Sequence, residues 1–527
     1  MHAGLPPLPF NTFTFDFRQG QTSPLITPST CGQYAVQAQL TPLAKPEAPF
    51  SVLAPSFGIF GGVNGSVCPA GGVPPFAPQL VAGTLDNQAG SFSPIDLRIL
   101  RGDGEQEITG FASQLPPGLT ADLSGVAECP EADVALARTK TGAQEEVEPS
   151  CPAASQIGHT LVGAGAGSVL AHAPGRLYLG APYEGAPFSI VAITSAKVGP
   201  FDLGTVIVHL PLDVDPLTAA VSIPAGAADQ IPHIIDGIVI HVRDIRVYVD
   251  RPNFTINPTN CEAQRFSATV IGSGASFTDP ADDQPVTVND PFQAANCAHL
   301  VFKPDFRVST NGSTSRSEGA SLHVKLVYPK APQGSEANIR SVKVDLPKQL
   351  PSQLKTLQQA CPDSTFNANP AACKAPSRIG TAKATTSILP VPLTGPVYFV
   401  SHGGAKFPEL VIVLSGYGVT VQLHSETFIS KAGITSSTFR TIPDVPVGTF
   451  ELTLPQGKFP ALAAPGGHLC GDKLRMPTAF TAQNGMVIHQ NTPIGVTGCA
   501  KAKHARKARR TRHPHTGVEI GRTLRSG

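Results

Sequence analysis

The residues able to do chemistry are few and scattered along the chain. Ser401-His402-Gly403-Gly404 joins a hydroxyl, an imidazole and two glycines, much as an oxyanion-hole loop does. The corresponding place in the first half of the chain is Gly180-Ala-Pro-Tyr183, with no histidine, so a turn between strands is the favoured reading. Gly163-Ala-Gly165-Ala-Gly167 has part of a dinucleotide-loop spacing, but it lacks the last glycine of GxGxxG and any alternating strand–helix context. Arg101-Gly-Asp103 matches an integrin-binding tripeptide and is equally a good hairpin turn. Asp279, Asp282, Asp283 and Asp290 could offer oxygen ligands to calcium, yet without an established loop spacing they read as a solvated acidic loop. There is no GxxxxGK phosphate loop and no GxSxG elbow. The expectation is therefore no catalytic residue, no cofactor site and no metal site.

The ten cysteines form a firmer pattern. Cys151-Pro-Ala-Ala-Ser-Gln-Ile-Gly158 recurs as Cys373-Lys-Ala-Pro-Ser-Arg-Ile-Gly380, and each copy is preceded by another cysteine, Cys129 or Cys361. A second echo occurs three times. Pro9-Phe-Asn-Thr-Phe-Thr-Phe-Asp-Phe-Arg-Gln-Gly20 leads to Cys31, and Pro446-Val-Gly-Thr-Phe-Glu-Leu-Thr-Leu-Pro-Gln-Gly457 leads to Cys470. A weaker copy, Ile245-Arg-Val-Tyr-Val-Asp-Arg-Pro252, leads to Cys261. Cysteine counting alone cannot assign connectivity. Equivalent units should close equivalent loops, which favours Cys31 with Cys68, Cys129 with Cys151, Cys261 with Cys297, Cys361 with Cys373 and Cys470 with Cys499. No CxxC or HxxxH spacing accompanies these residues, so disulfides are favoured over metal.

These elements must be positioned by many short strands. Proline (52) and glycine (51) each supply about a tenth of 527 residues and punctuate short Val/Ile/Leu/Thr-rich runs. The apolar fraction of 41% can support cores, which excludes a wholly disordered chain. Before Cys129 and Cys361, apolar positions at Leu115, Leu119, Leu123 and Val126, and at Leu346, Leu350, Leu354 and Leu357, have helical spacing. Residues 131–150 are polar and acidic and read as a surface loop. The echoes divide the chain into a partial unit at 1–72, the C-terminal part of a β module, then full units at 73–300 and 301–500. Residues 501–527 follow as a disordered basic tail. The expected fold is all-β, with tandem β-sandwich (Ig-like) modules and short disulfide-tethered helices.

No apolar run approaches the roughly 18 residues that a membrane span needs. Met1-His-Ala-Gly-Leu-Pro-Pro lacks the basic start and apolar core of a signal peptide. Five disulfides still call for an oxidising compartment, and a truncated start reconciles the two. The tail holds nine Lys and Arg against one acid, which leaves 30 basic against 37 acidic residues in the rest. Lys501, Lys503, Arg506, Lys507, Arg509, Arg510 and Arg512 are the candidates for binding an anionic polymer through summed charge.

With its paired cysteines, CxAxSxIG block and basic tail, the chain resembles a group of uncharacterised secreted repeat proteins of high-GC actinobacteria over most of residues 70–500. That resemblance implies a secreted setting and no catalytic residues. The function expected is a noncatalytic extracellular or cell-surface structural or adhesive protein. Its partner would be an anionic envelope polymer or a surface protein, not nucleic acid. A carbohydrate-binding module array or secreted glycan-active enzyme is the alternative, weakened by the absence of tryptophan.

Overall fold

The structure is a computed structural model that describes residues 9–499 apart from 21–22, 29, 63–64, 70–71, 227–230, 236, 276–279 and 330. Its strands are long and alternate cleanly. The stretch Phe188–Val198 turns Phe188, Ile190, Ala192, Thr194, Ala196 and Val198 to one side and Ser189, Val191, Ile193 and Ser195 to the other.

The first full unit supplies β1 (Gln79–Thr84), β2 (Ile95–Leu100), β3 (Ile108–Gln114), β4 (Gln156–Ala164), β5 (Ala171–Gly180), β6 (Phe188–Val198), β7 (Phe201–Val214), β8 (Val221–Ile223), β9 (Val242–Val249), β10 (Gln264–Gly272) and β11 (Gln284–Phe292). The second supplies β12 (Asp305–Asn311), β13 (Leu322–Val327), β14 (Ile339–Asp345), β15 (Arg378–Thr385), β16 (Leu393–Ser401), β17 (Glu409–Gly416), β18 (Val419–Ile429), β19 (Thr435–Phe439), β20 (Thr449–Leu454), β21 (Arg475–Ala482) and β22 (Val487–Thr497).

The first sheet runs in hydrogen-bonded order β11-β10-β3-β8-β7-β6-β5-β4-β9-β2-β1. The second runs β22-β21-β14-β19-β18-β17-β16-β15-β20-β13-β12, the same order moved on by one unit, and closes where β12 meets β22. A ring of eleven strands cannot alternate direction all the way round, so one neighbouring pair must be parallel. In the second barrel this pair is β12 with β22, in register at Val308 with Ile494. In the first barrel the matching edges, β1 and β11, form no ladder. They are joined by the Ala82 N–H donating to Asp290 Oδ2 at 2.7 Å. The first barrel is thus nearly closed and the second closed.

This corrects the expected Ig-like sandwiches. An inward/outward alternation is common to sandwiches and barrels, and what separates them is whether the sheet edges find each other. A second correction concerns the helices. Leu115–Val126 does not form one, because Pro116-Pro117-Gly118 turns the chain and Thr120–Ala121 pairs as a short strand with Thr255–Ile256. Of Leu346–Leu357 only the turn Leu354–Leu357 is helical. The helices lie instead between the paired cysteines, inside segments that include the expected surface loop: α1 (Glu131–Ala137) and α2 (Gly142–Val147) in the first unit, α3 (Asp363–Ala368) in the second. Each unit packs this segment on its outer wall. Val134 and Ala137 cover Tyr178, Val191 and Ile193, and Phe366 covers Tyr398, Val411 and Val413.

All ten cysteines are bonded, as Cys31–Cys68, Cys129–Cys151, Cys261–Cys297, Cys361–Cys373 and Cys470–Cys499. These are the pairs the repeat favours. Cys261–Cys297 brackets the β10–β11 hairpin and Cys470–Cys499 the β21–β22 hairpin. Cys31–Cys68 brackets a comparable pair of short ladders, Gly32–Tyr34 with Phe57–Ile59 and Gln37–Leu40 with Phe50–Leu53.

Candidate functional site

The inward faces of the two barrels line a shared cavity of about 790 Å³ that opens at the first barrel's free rim, where the exposed Val198, Phe201, Ile238 and Val239 belong to its wall. Eight strands leave a barrel interior that side chains just fill, and added strands widen it. Eleven strands lined with middle-sized residues leave space. On β6 the lining positions are Ile190, Ala192, Thr194 and Ala196, and on β17 they are Leu410, Ile412 and Leu414. Where the barrels meet, Leu123, Leu179, Phe188 and Phe254 of the first share one hydrophobic core with Leu393, Leu414 and Val419 of the second.

The lining is nearly all aliphatic and aromatic. Its polar members are chiefly hydroxyls such as Thr160, Thr194, Ser222, Ser352 and Ser437, with the single imidazole of His241. Among the described residues no Asp, Glu, Lys or Arg side chain lines the cavity. Thr160 and Thr194 face each other at 3.5 Å and so partly satisfy one another. At the far end of the second barrel the chain between β20 and β21 crosses the opening. Leu462 bridges to Ala320 and to Ser352 there, and Leu469 and Leu474 are buried.

The other end of the cavity, at the first barrel's free rim, is lined by the exposed Val198, Phe201, Ile238 and Val239 and braced by charges beside them. Arg101 is only 5% exposed. Its guanidinium pairs with Glu107 and donates to the Val242 carbonyl at 2.8 Å, and Glu107 Oε1 lies 2.7 Å from His241 Nδ1. Arg101 is therefore unavailable as the cation of an adhesive Arg-Gly-Asp, while Asp103 accepts from the Gly167 N–H at 2.8 Å. Nearby, Asp244 accepts from Arg98 at 2.7 Å and from Arg246 at 2.7 Å. Burial alone would raise the Asp244 carboxyl, but the two guanidinium groups outweigh it and hold it at about 2.

The other places singled out in the sequence do not assemble into chemistry. Ser401 donates to the Cys361 carbonyl at 3.3 Å, and His402 lies between Asp363 at 3.5 Å and Glu409 at 3.1 Å on the outer wall. A second constellation, not singled out in the sequence, is Ser189, His209 and Glu131. His209 Nε2 is 2.9 Å from Ser189 Oγ and its Nδ1 is 3.6 Å from Glu131. Ser189 is wholly buried and donates its proton to the Ala181 carbonyl at 2.7 Å, and burial lowers the pKa of His209. The arrangement closes a polar gap beneath α1 and leaves no path for a substrate to the oxygen. Among the described residues no group of three or more His, Cys, Asp or Glu side chains is arranged to hold a metal. Asp279 and the tail candidates Lys501, Lys503, Arg506, Lys507, Arg509, Arg510 and Arg512 lie outside the described residues.

The cavity-lining residues were not identified from sequence. Their signal was present in the alternation along β6 and β7, where apolar residues repeat at every second position for longer than a half-buried sandwich strand requires.

No family model matches the chain, and no curated protein does. Among solved structures it is similar to one titled BspA_C_mut, at 8% identity and a TM-score of 0.18, over 80% of this chain and 99% of that one. At that score the likeness carries no argument. No helix among the described residues is long and apolar enough to cross a membrane. Five disulfides suggest an oxidising, extracellular environment.

Proposed function

We propose that the protein is a noncatalytic extracellular binder of a long-chain, lipid-class ligand, held inside the paired barrels. The observation that carries this reading is the cavity of about 790 Å³ with an apolar wall drawn from both barrels. An apolar wall with nothing against it forfeits the dispersion contacts that a packed core makes. Water relieves little of that loss, because a buried water needs two to four polar partners and this wall offers scattered hydroxyls. A hydrocarbon chain meets the wall on its own terms.

The reading keeps the noncatalytic extracellular expectation and replaces the structural or adhesive role with a ligand-binding one. The carbohydrate alternative gains no support, since a glycan needs many hydrogen-bonding groups and a glycan-active site needs two carboxylates converging on a cleft. The test is titration with a fluorescent long-chain fatty acyl probe. Saturable binding is expected, and Ala192→Trp, which fills part of the cavity from β6, should weaken it at least tenfold. Unsaturable binding, or binding as tight as the wild type's by both Ala192→Trp and Ala384→Trp, would remove the cavity from the function.

A further inference from the structure

The two barrels stack head to tail, and the stack leaves one docking surface uncovered. The second barrel receives the first through the loops that follow β15, β17 and β19. Ile388 accepts from the Leu123 N–H at 2.9 Å, the Tyr417 ring lies tilted against Phe188 with centroids 5.7 Å apart, and Asp444 is buried beneath the first barrel. The first barrel contributes the segment Ile256-Asn-Pro-Thr-Asn-Cys261. From it the Thr259 N–H donates to Asp444 Oδ2 at 2.7 Å and the Asn260 side chain donates at 2.9 Å.

Because the strand orders are identical, the loops of the first barrel that answer to these three follow β4, β6 and β8. They lie together at that barrel's free rim, where the Gly165 N–H donates to the His241 carbonyl at 2.8 Å. In the second barrel this surface is covered. In the first it exposes Val169, Val198, Phe201, Ile234, Ile238 and Val239, with Phe201 69% exposed. Six large apolar side chains from three separate loops form a patch of the kind that marks an interaction site.

The chain also holds a second copy of the segment that fits such a rim. Ile26-Thr-Pro-Ser-Thr-Cys31 repeats Ile256-Asn-Pro-Thr-Asn-Cys261 in its Ile, Pro, hydroxyl and Cys positions. The matching place before Cys470 reads Pro465-Gly-Gly-His-Leu and does not. Ile26, Thr27 and Pro28 are exposed, as are Phe10, Phe13, Phe15 and Phe17 before them, so among the described residues the start of the segment and the apolar rim are uncovered within one chain.

We infer that the free rim of the first barrel docks the N-terminal segment of a second copy of this chain, with Ile26–Cys31 taking the place that Ile256–Cys261 takes on the second barrel. The contact is heterologous: each copy offers one rim and one segment, so copies add end to end and do not close as a twofold dimer. It stands on the repeat equivalence and on Ile26 being exposed within one chain; because Val198, Phe201, Ile238 and Val239 also line the cavity, the docked segment would cap its mouth.

Sedimentation velocity of the full chain over a concentration series tests it, with Phe201→Asp on the rim and Ile26→Asp on the segment. Circular dichroism confirms folding, and Val239→Lys replaces Phe201→Asp if that variant unfolds. The wild type should grow past the dimer as concentration rises. Each variant alone should stay monomeric. An equimolar mixture of the two should stop at the dimer, because one intact rim meets one intact segment. Association of either variant like the wild type would overturn the proposal. So would a monomeric wild type whose rim amides exchange faster in Ile26→Asp, which would give the rim to the chain's own segment. Binding of phosphatidylcholine vesicles through Phe201 without self-association would give it to a bilayer instead.

Discussion

Asp244 sets the response of the first barrel to acid. Its carboxyl is held at about 2, below the ordinary 3.8, by Arg98 and Arg246. The folded state therefore favours the carboxylate, and its contribution is present above about pH 4 and lost as the pH falls towards 2. The full linkage is discounted because Arg98 is half exposed and the pair is screened, which leaves about 1–2 kcal/mol. Denaturant melts of wild type and Asp244→Asn should differ by that much at pH 7 and converge near pH 2. A constant gap across that range would assign the loss to packing and not to charge. At the junction, Asp444 obeys the opposite balance. Burial pushes its carboxyl up, and donors from Thr259, Asn338 and Asn260 pull it back. None of these roles was visible in sequence, because an acid's partners here lie far along the chain: Arg98 is 146 residues from Asp244, and Thr259 is 185 from Asp444.

Among elements, the seam separates the two barrels. Where β12 and β22 zip in parallel, the matching edges β1 and β11 of the first barrel are linked along the strands by the Ala82–Asp290 bond, with a short parallel bridge of Gln88 and Ala295 only beyond their ends. Amide hydrogen exchange should thus be at least tenfold faster over Leu80–Thr84 than over Phe306–Thr310, and Asp290→Ala should speed Ala82 further. Equal protection of both seams would mean that the first barrel closes as fully as the second. The seam was illegible in sequence, since a strand's residues do not say which edge it will meet. The helix-like spacing of Leu115, Leu119, Leu123 and Val126 misled for a different reason: Pro116-Pro117-Gly118 determines the backbone there more strongly than the apolar period does. The cysteine pairs were legible, because each partner sits in the same repeated unit and equivalent units close equivalent loops. The alternation that marks the strands was legible too. It states which residues share a face, and it is silent on how far away the opposing wall stands, so the cavity between Ala192 and its neighbours could not be read from it.

For the whole molecule, duplication explains the architecture. One eleven-strand design occurs twice, stacked head to tail about a shared apolar interior, with disulfides clipping its hairpins and outer helices. The account rests on that interior being occupied by hydrocarbon. The most direct measurement is native mass spectrometry of the full chain as purified, followed by organic extraction and lipid analysis of the extract. The account predicts added mass in the range of long-chain lipids, released by solvent, with reloading of the stripped protein and no reloading of Ala192→Trp. A chain that flies at its bare sequence mass, yields no lipid and takes none up would contradict it.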